Sequence, residues 1–547
     1  MPASFVPADY QIPLPIDQFL SESKPGEDAV PMDVLFVGGG PAGLAGAIEL
    51  ARLVRNDPSL GSVEIGVLEK SEELGQHCLS GAVVNPIAFR ELFPELPDRD
   101  FPFRGPVQRE RVYLLTERSS IRLPTPPTMK NHGNFVASIS EIVRWLGAKA
   151  TDFGVNLFTG FPADELLVDG SSVIGVRTVP SGLTRDGKPG SAYAPATEVT
   201  AKVTVLSEGT RGPLGQAYLA SQKIRSPNPQ IFALGVKEIW EVKRPLDTVV
   251  HTLGWPLSRT AFGGSFFYPL APDLVALGIV VGLDYRESSL DVHALLQKLK
   301  EHFLFRRYLE GGEMVEWGAK TIPEGGYWSL PERLSGDGIL LVGDTAGLVD
   351  VPSLKGIHYA MKSGMLAAAA IYQALKSGDV SASTLGAYDT ALRKSFIWSD
   401  LHRTRNMRLA FKSGFYAGGA KSAFMTVSGA LFGSRIPVEE DARERKTVTP
   451  PMALRADGSL TFGKLDSVFR SGNNTRDDAP SHLLWKNELP PEVQSFYAAM
   501  CPAGVYEQRD GQFVVNASNC VDCKAADVLG PRWRPREGGA GTKYKRM

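Results

Sequence analysis

Residues 32–54 read MDVLFVGGGPAGLAGAIELARLV, and this stretch decides the fold. Val34 to Val37 reads as a short apolar strand, Gly38 to Gly43 as a turn, and Leu44 to Val54 has the spacing of a helix. In Gly38-x-Gly40-x-x-Gly43 each glycine has its own task. Gly38 permits the tight turn, Gly40 removes a side chain that would collide with a pyrophosphate, and Gly43 lets helix and strand pack closely. The helix N-terminus offers unpaired N–H groups and a partial positive charge to phosphates. A second strand, Val63 to Leu68, ends in Glu69, where an acid accepts from a ribose hydroxyl. Strand, turn, helix, strand and acid in this order predict a dinucleotide site. The fingerprint alone does not separate FAD from NAD, and its place near the N-terminus leans toward FAD.

A second segment, GILLVGDTAGLVDVPSLKGIHYAMKSGMLAA over Gly338–Ala368, sharpens this. A strand ends at Gly343-Asp344, then come a glycine-bearing turn and a long helix within Ser353–Leu375. Asp344 suits a ribityl chain or ribose, and peptide N–H groups near Gly356 suit the flavin pyrimidine edge. The plain alternative for Asp344 is a helix cap.

The chain has 547 residues and a net charge of -1, with 43% hydrophobic and 22% charged residues. Two or three domains are expected at this length. The neutral balance gives no case for nucleic acid. The first thirty residues lack a basic segment followed by an apolar one, which argues against a secretory signal. The longest apolar run, Leu274 to Leu283, is strand-sized. Three of the four cysteines, Cys501, Cys520 and Cys523, fall near the end, with Cys78 apart from them, and a disulfide framework is implausible.

The two glycine-acid segments, with Glu208-Gly209-x-x-Gly212, resemble the glutathione-reductase-like flavoproteins of the FixC/geranylgeranyl-reductase branch. Further motifs are GQHCLSGAVV (Gly75–Val84), GGSFFYPL (Gly263–Leu270), LVALGIVVGLDY (Leu274–Tyr285), CPAGVYE (Cys501–Glu507) and NCVDCKAAD (Asn519–Asp527). With these, the whole chain resembles the electron transfer flavoprotein–ubiquinone oxidoreductase family. The resemblance implies an α/β and α+β fold: a glutathione-reductase-like FAD-binding Rossmann domain, an inserted quinone domain and a C-terminal ferredoxin-like region. The corresponding expected spans are an arm over 1–31, the FAD domain over 32–225 and 331–410, and the ubiquinone domain over 226–330. A membrane-facing segment over 411–470 and an iron–sulfur-type domain over 471–547 complete the chain.

The resemblance also assigns residues. FAD would lie against Gly38, Gly40, Gly43, Glu69, Gly209, Gly343, Asp344 and Gly356, with its ring beside His77, Ser80 and Gly81. Ubiquinone would lie near Gly263 and Gly264, a pair that otherwise reads as a strand-edge turn. Electrons would come singly from reduced electron transfer flavoprotein and leave to ubiquinone. Such a relay needs no nucleophile or acid–base pair, since the cofactor carries the chemistry. The implied location is a membrane surface without a spanning helix: the bacterial inner membrane's cytoplasmic face, or the mitochondrial inner membrane's matrix face. The bacterial one is preferred because no transit peptide is evident. Phe415, Tyr416, Phe424, Met425, Leu431 and Phe432, interleaved with glycines, Lys412 and Lys421, suit a membrane interface or a buried helix.

The pattern breaks at the cluster. The family's [4Fe-4S] cluster takes four cysteines, and the matching positions here are Cys501, Cys520, Cys523 and Ala526. Three outcomes stay open: a carboxylate or water on the fourth iron, a three-iron or labile cluster, or no cluster. Asp350 and the Gly356-Ile357-His358-Tyr359 stretch also depart from the family, and would alter the flavin's tuning. The basic end, PRWRPREGGAGTKYKRM, suits anionic lipid, an acidic partner or a solvated tail. Two other readings remain: an FAD-dependent oxidoreductase acting on another lipid-like substrate, and a non-catalytic flavin-binding scaffold.

Overall fold

A computed structural model describes residues 3–428 and 433–547, with the side chains of 427 and 428 left aside. Its nucleotide-binding unit is built on five parallel strands. In spatial order they are Asn156–Thr159, Ile65–Glu69, Val30–Val37, Glu198–Leu206 and Ile339–Leu341. Val34, Leu35 and Phe36 are completely buried, because a parallel strand is covered by helices on both faces. The first helix, Pro41–Arg55, begins three residues earlier in the turn than its apolar spacing indicates, since proline suits a helix's first turn. The parallel strands are extended by antiparallel ones, Ser172–Thr178 against Glu198–Leu206, with Ala163–Asp169 outside it.

The helix after Asp344 spans Ile357–Ser377 and crosses Pro41–Arg55 at very close range. A Cβ at Gly364 would lie 2.1 Å from the Ala42 carbonyl oxygen, and one at Gly46 would lie 3.0 Å from the Gly364 oxygen. Paired glycines therefore let the two backbones touch, and the contact fixes both glycine-acid turns in one frame.

The second unit is a seven-stranded sheet. Its order is Glu313–Pro323, Phe232–Glu241, Leu274–Gly282, Gly263–Ala271, Val249–Gly254, Glu110–Leu115 and Ser120–Leu123. Its last two strands come from residues that precede the expected ubiquinone domain in the chain. Successive side chains on a strand point to opposite faces. On Phe232–Glu241 this sends Glu238 into the core beneath the helix Val292–Glu301, and Lys237 the other way. Glu238 is fully buried and accepts from Lys300 Nζ (2.9 Å), Gln297 Nε2 (2.9 Å) and Trp240 Nε1 (2.7 Å). A buried carboxylate persists only with such complete pairing.

The N-terminal arm is not free. Ser4–Phe5 pairs with Lys446–Thr447, Leu20–Ser21 pairs with Leu166 and Leu167, and Gln11 donates to the Asp527 carbonyl at 3.0 Å. The basic C-terminal stretch is packed down, which corrects the expectation of a tail available to lipid or partner. Arg536, Tyr544 and Met547 are buried, Arg534 pairs with Asp164 (3.3 Å), and Ser138 Oγ donates to the Met547 carbonyl (2.8 Å). Its arginines satisfy carboxylates within the molecule. Among the described residues no helix is long and apolar enough to cross a membrane.

Gly364→Val is expected to lose at least about 1–3 kcal/mol by overpacking against Ala42. Denaturant unfolding of the purified protein measures this, and an unchanged midpoint would show that the helices can separate freely.

Candidate functional site: a cofactor cleft beside a trio of buried thiols

The turn after Val30–Val37 has the backbone its glycines predict. Gly38 has φ +113°, and a Cβ there would lie 2.3 Å from the Ser207 carbonyl oxygen. A Cβ at Gly43 would lie 2.2 Å from the Gly38 oxygen and 2.7 Å from Ser207 Oγ. Ser207 Oγ itself donates to the Val37 and Gly38 carbonyls, both at 2.9 Å. Gly38 and Gly43 are thus packing glycines. At Gly40 a Cβ would meet nothing within 4 Å, so this position opens onto space. No side chain caps the helix that starts at Pro41, which leaves its first N–H groups free to face a phosphate.

A cleft of about 350 Å³ lies before this turn. Its walls include Gly38, Gly40, Glu69, Gly209, Asp344 and Gly356, and also His77, Ser80 and Gly81. Sequence positions more than three hundred residues apart therefore meet at one site. Gly43 and Gly343 lie behind the wall. Gly343 has φ +60°, and a Cβ there would sit 3.0 Å from the Ala42 Cβ.

The carboxylates divide by role. Glu69 accepts from the Gly39 N–H (3.0 Å) and from the Ser71 N–H and Oγ (both 2.9 Å), so it pins the glycine turn while lining the cleft. Glu208 accepts from the Leu214 and Gly215 N–H groups (3.2 and 2.8 Å), which makes it the cap of helix Pro213–Ser221. Asp344 is different. Among the described residues its one side-chain hydrogen bond is from the Thr210 hydroxyl at 3.4 Å, and burial pushes its pKa up to about 6. It caps no helix and has acceptor capacity to spare, as a ligand hydroxyl requires.

The far wall is the seven-stranded sheet, through Lys237, Phe266, Tyr268 and Val280. Gly263 and Gly264 begin the strand that carries Phe266 and Tyr268, and Gly264 pairs with Val280. Added Cβ atoms there would strike the Val280 carbonyl oxygen (2.2 Å, from Gly263) and the Thr252 carbonyl oxygen (2.7 Å, from Gly264). The glycine pair is thus demanded by strand packing, next to the wall rather than in it.

Sequence reasoning missed the cations of this cleft. Lys237, Lys320 and Lys355 all line it. Burial brings Lys237 down to about 7 and Lys355 to about 8. Lys237 donates to the Ser80 carbonyl at 3.0 Å and so holds the His77–Gly81 segment. The available signal was a lone lysine inside the otherwise apolar run FALGV-K. Of the departing stretch 357–359, Ile357 lines the cleft, whereas His358 and Tyr359 are buried away from it, with the Tyr359 hydroxyl 3.3 Å from Asp400.

Cys501, Cys520 and Cys523 are free, buried thiols around one small cavity of about 20 Å³, which Ala526 also lines. Burial raises all three thiol pKa values, that of Cys520 to about 12. Cys78 lies elsewhere, in the cofactor cleft. Lys524 and Trp533 line both cavities and form the partition between them. Asp522 ties the two loops together. It accepts from Lys70 Nζ (2.6 Å), Trp533 Nε1 (3.0 Å) and Arg536 (3.1 Å), and His77 Nδ1 lies 3.4 Å away. Burial alone would raise its pKa, but these cations hold it well below the usual carboxylate range. His77 is driven to about 4, chiefly by burial, and is neutral at pH 7.

The residues fit FAD: an open glycine before an uncapped helix, an under-used carboxylate, and a cleft reaching the second sheet. They fit an iron–sulfur cubane at three corners and not at the fourth, where alanine has no ligating atom.

A parallel dinucleotide sheet with these two glycine-acid turns defines an FAD-dependent oxidoreductase fold. A solved geranylgeranyl bacteriochlorophyll reductase-like protein from Thermoplasma acidophilum superposes with a TM-score of 0.58 at 20% identity, covering 76% of this chain and 95% of its own. A flavin-dependent brominase gives 0.50 at 17% identity, covering 73% and 94%. Residues 232–322 match the family profile described as ETF-QO, ubiquinone-binding, and residues 458–545 match that of the electron transfer flavoprotein-ubiquinone oxidoreductase 4Fe-4S domain. The mitochondrial electron transfer flavoprotein-ubiquinone oxidoreductase of Oryza sativa subsp. japonica is 38% identical over 95% of this chain and 94% of its own length. The protein of that name from Rattus norvegicus is 37% identical over 94% and 89%. The chain belongs to the electron transfer flavoprotein–ubiquinone oxidoreductase family.

Asp344 yields a pH prediction. Its folded pKa of about 6 lies above the ordinary 3.8, so the folded state holds a proton that the unfolded chain releases. Stability of the FAD-free protein from this group therefore falls as pH rises from about 4 to 7. Asp344→Asn should flatten that fall in denaturant titrations. Asp344→Ala should weaken FAD retention by about 1–3 kcal/mol, seen by fluorescence of released flavin.

Proposed function

We propose that this chain passes electrons from reduced electron transfer flavoprotein, through FAD, to ubiquinone at a membrane surface. One observation carries the reading: a single cleft runs from the glycine turn and Asp344 to the sheet that matches the ubiquinone-binding profile. FAD, when bound, accepts electrons singly and delivers pairs, which is the chemistry that joins a one-electron donor to a quinone.

The chain's own groups bind, orient and tune. Gly40 and the uncapped helix at Pro41 would receive the pyrophosphate, and Asp344 a hydroxyl of the ribityl chain or ribose. Lys237 holds the His77–Gly81 segment through Ser80 and keeps positive charge or a transferable proton beside the cleft. Charge near a cofactor sets its reduction potential. Phe266, Tyr268 and Val280 give a flat apolar wall suited to a quinone head, next to the Gly263–Gly264 turn.

The surface role rests on the helix Phe415–Ser428. Tyr416 and Phe424 are 60% and 56% exposed, and Lys421 stands beside them. Aromatic side chains with a basic neighbour suit the boundary between headgroups and acyl chains. Leu431 and Phe432, part of the same sequence reading, lie outside the described residues. The side of the membrane facing the mitochondrial matrix or the bacterial cytoplasm is where this surface would dock.

The FAD-loaded protein should reduce a short-chain ubiquinone when supplied with enzymatically reduced electron transfer flavoprotein. Phe424→Asp with Tyr416→Asp should reduce co-sedimentation with anionic vesicles several-fold and leave soluble-quinone turnover unchanged. No turnover with that donor, alongside turnover with an isoprenoid substrate or NAD(P)H, would overturn the reading.

A further inference from the structure

We propose that the Tyr268 hydroxyl, oriented by His251, donates the hydrogen bond that receives one carbonyl oxygen of the quinone head. The inference rests on the reading of a quinone as the electron acceptor, and goes further by naming the group that holds it.

The sheet register sets the two side chains together. Residues paired directly across neighbouring strands share a face. Lys237 pairs with Gly278, Gly278 with Phe266, and Phe266 with His251. Tyr268 follows Phe266 by two positions and so shares that face. It is the face turned to the cleft, lined there by Lys237, Phe266 and Tyr268. Gly278 makes the room, since a Cβ there would lie 2.3 Å from the Phe266 ring. The Phe266 and Tyr268 rings stack at 5.0 Å. The Tyr268 ring also lies 3.8 Å from where a Gly81 Cβ would stand. Tyr268 therefore sits where the quinone-profile sheet meets the segment expected beside the flavin ring.

Hydrogen-bond accounting gives Tyr268 a hydrogen to spare. Its hydroxyl lies 2.5 Å from His251 Nε2, and both side chains are buried. Burial drives His251 down to about 3, so at pH 7 the ring is neutral and has one N–H to place. Its Nδ1 has no partner among the described residues. A buried N–H without an acceptor is the rarer and costlier orphan, so the hydrogen belongs on Nε2. His251 Nε2 then donates to the Tyr268 oxygen, and the hydrogen of Tyr268 is left for another acceptor. A single neutral donor among apolar side chains suits a flat ring that carries carbonyl oxygens.

The other donors of the wall are placed differently. Lys237 and Lys355 already donate to the Ser80 and Ser353 carbonyls, at 3.0 and 2.8 Å. Ser80 Oγ and Thr321 Oγ1 have no partner, and so no second side chain holds them in one orientation. Tyr268 is held, and a preset donor loses less freedom on binding.

The test titrates the oxidised, FAD-loaded full chain with a short-chain ubiquinone, without any electron donor. The quinone carries ¹³C at one carbonyl carbon or the other, and infrared difference spectra read each C=O stretch. In the natural chain one carbonyl is expected to shift to lower frequency and the other to move far less. Tyr268→Phe is expected to abolish that shift and weaken binding roughly two- to tenfold, the worth of one hydrogen bond. His251→Gln, whose amide N–H can replace Nε2, should keep the shift, and His251→Leu should lose most of it. Ser80→Ala and Thr321→Val should keep it. If Tyr268→Phe fails to fold, judged by lost FAD, the natural chain and the two His251 variants still decide. Two unshifted carbonyls in the natural chain, or a shift that survives in Tyr268→Phe, would overturn the proposal. So would a shift lost in Ser80→Ala or Thr321→Val and kept in Tyr268→Phe. Turnover is measured separately: a chain that polarises the quinone but takes no electrons from reduced electron transfer flavoprotein overturns the functional reading and leaves the role of Tyr268 standing. A natural chain that binds no quinone overturns both.

Discussion

Asp522 is the charge on which the two halves of the site depend. It is buried, it stands between two of the thiols, and its partners come from opposite ends of the chain: Lys70 and His77 from the cofactor loop, Trp533 and Arg536 from the C-terminal stretch. A lone carboxylate at this depth would be intolerable, and so would a buried Arg536 without its anion. The pairing therefore forces the thiol cavity to lie against the flavin cleft, with Lys524 and Trp533 as the shared wall. For an electron carrier, this is what two adjacent redox sites need, because proximity and rigid placement are the protein's contribution.

The nucleotide half was legible because its constraints are local. Gly38, Gly40 and Gly43 are each explained by one nearby backbone or one open space, and Asp344 by its position after a strand. Glu208, which the sequence shows only as part of a family motif, proves to cap a helix. Gly263 and Gly264 likewise take a strand-packing role that a quinone reading does not require. The seven-stranded sheet was only partly legible. Glu110–Leu115 joins it by pairing with Val249–Gly254, and Ser120–Leu123 by pairing with Glu110–Leu115, both contacts that no local pattern marks.

What the sequence hid is long-range pairing. Nothing local marks Asp522 as a partner of Lys70, or the basic end as an internal clamp. Arginines near a C-terminus read as a solvated or lipid-seeking tail until the buried carboxylates they meet are known. The missing cysteine at 526, by contrast, was plain in the sequence. The structure adds that Asp522 and Asp527 are already committed, to Arg536 and Arg211 among others, which narrows the choice of fourth ligand.

The Lys70–Asp522 bridge joins residues 452 positions apart. At about 5–20 residues per second of synthesis, the cofactor loop waits roughly 20–90 seconds for its counter-ion. During that interval Lys70 has no Asp522 to settle against. The part of the cleft wall that Lys524 and Trp533 supply is likewise missing until the end of synthesis. The thiol half closes last, and the order of assembly follows from where one aspartate lies in the gene.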